Sequence, residues 1–126
     1  MMIGMGLGMV DRDIEVGKEY KVGTFTLNGV TYDRYVKVVD CGQMPNNARI
    51  TVPHGISNVI DFLSVKGTAN GIEGANHFSF SFPRVFVISN TQYVCDLYIQ
   101  NDNIIINVPT YDLSAYTGKV ILEYYK

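Results

Sequence analysis

The chain contains no tryptophan, two histidines, two cysteines and four prolines, and only 17% of its 126 residues are charged. Each scarcity removes a class of function. Two histidines, His54 and His77, leave little room for a site that needs a base and an orienting partner. With only Cys41 and Cys95 beside them, they do not supply the clustered ligands of a zinc centre. Ten Lys and Arg against twelve Asp and Glu leave a net charge of -2. There is no basic run to neutralise a series of phosphates, so nucleic acid is not an expected partner. No apolar run approaches the roughly 18 residues needed to cross a bilayer as a helix, so no membrane insertion is expected.

Two further resemblances to known sites fail on spacing. Asp11, Asp13 and Glu15 imitate the opening of a calcium loop, but glycine falls at 17 and the closing position, 22, is valine. Gly4, Gly6 and Gly8 imitate a phosphate loop, yet no strand precedes them and no Gly-Lys-Ser/Thr follows. The stretch MMIGMGLGMV lacks a basic n-region and a small-residue cleavage site, so it does not read as secretory. Residues 1–19 are expected to form an N-terminal arm, either disordered or anchored to a partner.

What is present is strand signal. Hydrophobic residues make up 47% of the chain, including nine Tyr and six Phe, enough for one packed core at this length. Cys41 and Cys95 could form one disulfide or remain as buried thiols, and a domain of this size does not need the bridge. Thr24–Leu27, Asn28-Gly29 and Val30–Asp40 read as a hairpin around a type I′ turn. Arg49–Val52 alternates, placing Ile50 and Val52 on one face. Ile60–Val65 reads as a strand that is either buried on both faces or bulged where the apolar phase switches at Phe62 and Leu63. Residues 67–76, rich in Gly and Asn, read as an exposed loop.

His77–Phe82 has strict period two, which makes Phe78, Phe80 and Phe82 core candidates. Val85–Ser89, Tyr93–Gln100 and Ile104–Val108 follow, the last two joined by Asn101-Asp102-Asn103. Lys119–Tyr125 closes the chain with Val120, Leu122 and Tyr124 on one face. Short strands with turn signals about every 8 to 12 residues predict an all-β fold, an antiparallel β-sandwich of about eight strands over residues 20–126. His54, in the turn Pro53-His54-Gly55, reads as a structural imidazole. Asp61, Asp96, Asp102, Asp112 and Glu123 offer no selected pair for glycoside cleavage. No catalytic, metal or cofactor-binding residue is expected, and no cofactor. The aromatic residues read as core, subunit interface or stacking surface.

Several segments together resemble a domain found at the ends of bacteriophage tail-fibre and minor structural proteins. They are Phe25-Thr26-Leu27-Asn28-Gly29-Val30, the turn Met44-Pro45-Asn46, Val52-Pro53-His54-Gly55-Ile56-Ser57-Asn58 and Tyr116-Thr117-Gly118-Lys119-Val120-Ile121-Leu122-Glu123-Tyr124-Tyr125-Lys126. The similarity spans residues 20–126, departs from the family pattern between Gly67 and Ser89, and includes no catalytic signature. It implies a non-enzymatic virion appendage, a homotrimer that contacts a host surface glycan or protein. The alternative is a head-fibre or decoration protein whose arm docks on other virion proteins. A binding surface is expected in the departing segment, with Asn70, Asn76, His77 and Tyr93 as candidate ligand contacts.

Overall fold

The computed structural model describes residues 14–126. These form nine antiparallel strands and no helix: β1 (Glu19–Leu27), β2 (Val30–Gln43), β3 (Asn46–Pro53), β4 (Asp61–Glu73), β5 (Asn76–Phe82), β6 (Arg84–Ile88), β7 (Thr91–Gln100), β8 (Asn103–Asp112) and β9 (Tyr116–Tyr125). One sheet has the order β1-β2-β9-β4-β5 and the other β3-β8-β7-β6, so the fold is the expected β-sandwich. Gly4, Gly6, Gly8, Asp11 and Asp13, with the start of the arm, lie in residues 1–13, outside the described residues.

The strands form where alternation meets a suitable turn. Asn28 and Gly29 both have positive φ, 50° and 80°, which matches the right-handed twist of the flanking strands. Leu27 therefore pairs with Val30 and the register runs down to Glu19 opposite Lys37. β9 is the central strand of its sheet, between β2 and β4. Its Val120, Leu122 and Tyr124 are fully buried, as their alternation predicts. Across the sandwich they meet Cys95, Leu97, Ile104, Ile106 and Val108 from the facing sheet. Cys41 and Cys95 are both buried free thiols within this core.

The last part of the expected arm belongs to the folded body. Ile14 packs with Val36, Val38, Val22 and Ile121 on the face of the first sheet that points away from the main core. The Gly17 N–H donates to the Val38 carbonyl at 2.7 Å.

Two expectations change and one open alternative is decided. Residues 67–76 do not form a loop. Residues 67–73 complete the thirteen-residue β4, and the chain turns only at Gly74 and Ala75. The glycines that suggested a loop answer a packing need, because a Cβ on Gly67 would stand 2.2 Å from the Phe82 ring and one on Gly71 2.5 Å from the Ala115 carbonyl oxygen. At Ile60–Val65 the apolar phase switch is a bulge: the register slips between Phe62 and Ser64, and Leu63 is exposed. Of the three β5 phenylalanines, Phe82 is buried, Phe80 is half-buried and Phe78 is 43% exposed. β5 is an edge strand, and its inward row leaves the core as it approaches the end of the sandwich.

Candidate functional site

One end of the sandwich gathers the β4–β5 turn, the β6–β7 turn and the loop from β8 to β9. Between these elements lies a cleft of about 190 Å³ lined by Glu73, Phe80, Arg84, Phe86, Ile88, Tyr111, Leu113 and Tyr116. One wall comes from the first sheet, where Phe80 and Tyr116 meet edge to face with centroids 5.1 Å apart. The other comes from the second sheet. There Phe86 and Tyr111 cross at 86° with centroids 5.2 Å apart, and Tyr93 supports both at 5.8 and 4.8 Å. Buried Leu113 lines the space between them.

Two charged residues complete the lining. The Arg84 guanidinium carbon stands 5.7 Å from the Phe80 centroid and 5.8 Å from that of Phe86, so it bridges the two walls through cation–π contact. Glu73, at the end of β4, lines the same cleft beside Tyr116. Burial first, and then the Glu73 charge, push the Tyr116 phenol above its ordinary pKa, so the hydroxyl stays a donor at neutral pH. Rigid aromatic faces with hydrogen-bonding groups at the margin suit a ligand that has both an apolar face and polar edges.

A second, wider depression of about 580 Å³ lies at the opposite end, lined by residues 54–62 and by Asn101 and Asp102. Much of its polar equipment is already engaged. The Ile56 N–H donates to His54 Nδ1 at 3.0 Å, which leaves the imidazole proton on Nε2, 3.2 Å from the Asn101 carbonyl that accepts it. The His54 N–H donates to the Asp102 carbonyl, and the His54 carbonyl accepts from Lys37 Nζ at 2.7 Å. His54 is thus a buried staple between β3, the β7–β8 turn and β2, the structural role its turn context implied. Asp61 Oδ1 accepts from the Phe62 N–H. This depression also lacks the paired aromatic walls of the smaller cleft, which is the better-formed site despite its size.

The four candidate contacts divide. Tyr93 lies behind the cleft, against Phe86 and Tyr111. Asn70 lies on β4 opposite Ser79, whose hydroxyl donates to its Oδ1 at 2.5 Å. His77 pairs with Ile72 on the same outward row, and Asn76 starts β5 opposite Glu73. The structure therefore brings Asn70, Asn76 and His77 to the β4–β5 hairpin but places Asn70 and His77 on the face opposite the cleft. Glu73, Arg84 and Phe86 were not singled out from the sequence, and Tyr111 stood, with Tyr93, Tyr98 and Tyr116, only among the aromatic residues whose role was open. Glu73, Arg84, Phe86 and Tyr111 come from three strands, β4, β6 and β8, and the only local signal was the density of aromatic residues after residue 77. Among the described residues no three metal-ligating side chains gather.

No protein-family model, curated protein or solved structure matches the chain. The likeness to tail-fibre domains therefore rests on the quoted motifs alone.

Proposed function

We propose that this protein is a non-enzymatic bacteriophage virion component whose sandwich holds a host surface saccharide in the aromatic cleft between Phe80–Tyr116 and Phe86–Tyr111. The observation that carries the reading is the cleft itself: two aromatic walls, one from each sheet, with Arg84 and Glu73 at their margins. Sugar rings present C–H faces to aromatic rings and hydroxyls to charged groups, so this lining matches their chemistry. The tail-fibre-like motifs supply the virion context, a homotrimeric assembly and a docking role for the arm on other virion proteins. A glycan-array screen of the purified protein, with its solution mass, tests the proposal. Saccharide binding that Tyr111→Ala abolishes supports it, and a protein silent across bacterial surface glycans refutes the ligand.

A purely structural role, as a head-fibre or decoration protein, is the second reading. It is favoured by β6, an edge strand on which Val85, Val87 and Ile88 are 56%, 62% and 41% exposed. The other edge strands carry protection: a bulge and Lys21 on β1, a bulge and Arg49 on β3, and His77 on β5. An edge with three exposed apolar residues, whose one charge is Arg84 at its first position, suits association. Under this reading the protein forms oligomers that Val87→Lys disperses, and no glycan binds.

A further inference from the structure

We infer that the ring taken by the aromatic cleft carries a carboxylate, so that the ligand is an acidic sugar residue, and that Arg84 is the group that selects it; the inference rests on the saccharide reading above. Arg84 opens β6 directly after Pro83, at the edge of its sheet. Cation–π contact draws the guanidinium over the rings of both Phe80 and Phe86. Its N–H groups are left over, because the Arg84 side chain makes no hydrogen bond or ion pair among the described residues. The ion pairs there join Lys21 to Asp33, Arg34 to Glu123 and Lys126 to Glu19, all away from this cleft. A planar fork of donors set over two aromatic rings and engaged in no ion pair among the described residues suits two parallel hydrogen bonds to a carboxylate.

Glu73 sets the orientation. Its carboxylate lines the same cleft, accepts hydrogen bonds from sugar hydroxyls and repels a second anion. A ring laid between the walls would therefore direct its carboxylate to Arg84 and its hydroxyls to Glu73. The same geometry argues against two other occupants. A quaternary ammonium, which aromatic cages often hold, would have to share the Phe80 and Phe86 rings with a guanidinium already set over them. A neutral sugar would accept single hydrogen bonds from the Arg84 fork but not the bidentate ion pair.

The test compares uronic-acid oligosaccharides, oligogalacturonate and oligoglucuronate, and the nonulosonic acid N-acetylneuraminate with their carboxyl-reduced counterparts, by calorimetric titration of the full chain. Arg84 is exposed, so Arg84→Gln leaves the core intact. At low salt the carboxylated ligand is expected to bind about tenfold to a hundredfold more tightly than the reduced one. Arg84→Gln should remove that preference while retaining the weaker binding of the reduced form, Arg84→Lys should keep only part of it, and Tyr111→Ala should remove both affinities. Equal binding of the two forms by the unaltered protein, or a preference that survives Arg84→Gln, would overturn the assignment of Arg84 and leave the saccharide reading standing. Failure of both forms to bind would overturn the two together.

Discussion

Replacing Gly67 by alanine adds one methyl group to a residue that strand rules would call a weak point. In an ordinary strand the change is expected to stabilise, by about 0.5–1 kcal/mol from lost unfolded-state freedom and better propensity. Here the new Cβ would stand 2.2, 2.3 and 2.6 Å from three carbons of the Phe82 ring. Phe82 is 2% exposed and pairs directly with Gly67 across the β4–β5 ladder. Its ring also reaches the neighbouring strand, with a Cβ on Gly118 falling 3.5 Å from it. The ring cannot move away without disturbing the core, and overpacking of this kind costs about 1–3 kcal/mol. Setting the two effects against each other, Gly67→Ala is expected to destabilise by about 1–2 kcal/mol. The midpoint of urea unfolding should fall with an unchanged slope. A double-mutant cycle with Phe82→Ala isolates the cause. Phe82→Ala alone costs about 3–5 kcal/mol, but in that background Gly67→Ala should become neutral or stabilising, with a coupling of about 1 kcal/mol or more. Stabilisation by Gly67→Ala in the unaltered protein would refute the claim that this glycine exists to admit the ring.

Other outcomes follow from buried polar and ionisable groups. Burial first, and then the neighbouring Asp40 and Asp96 respectively, push the Cys41 and Cys95 thiols up to about 11. A raised native pKa stabilises below the unfolded value of 9.0 and is lost as pH rises through the native one. Stability should therefore fall between about pH 9 and 11, and a Cys41→Ala, Cys95→Ala variant should show a shallower fall in urea titrations over that range. In native protein at pH 8, a thiol reagent should label neither cysteine at the rate seen after unfolding. The Tyr124 hydroxyl donates to Glu19 Oε2 at 2.6 Å, and Lys126 Nζ binds the other carboxylate oxygen at 3.0 Å. Tyr124→Phe should cost about 1–2 kcal/mol in chemical unfolding while leaving the strand signature in circular dichroism unchanged. His54→Ala leaves the Ile56 N–H and the Asn101 carbonyl without their imidazole partners. It should destabilise by about 2 kcal/mol or more, and hydrogen exchange should quicken first at Ile56.

Much of the sandwich was legible because its determinants are local. The Asn28-Gly29 turn, the alternation of β9 and the His77–Phe82 period each state their structure within a few residues, since strand burial repeats every second position and a tight turn needs particular φ values. The reading failed where glycine served a distant partner. Gly67 and Gly71 carried a loop signal, yet the reason for them is an aromatic ring on β5 and the backbone before β9. Phe78 failed in the other direction: the alternation assigned its face, but only strand order shows that this face runs out of the core at an edge.

By itself, then, the sequence determined the all-β class, the principal turns, the inward rows of most strands and the structural part played by His54, because short-range periodicity and φ preferences decide these. Tertiary structure alone decided that two sheets close over β9 and that the fold's best-formed cleft unites Phe80 and Tyr116 with Phe86 and Tyr111, bridged by Arg84. Those residues lie on β5, β6, β8 and β9, and no local pattern encodes which strands become neighbours across a sandwich. That choice belongs to the burial of all the inward faces at once.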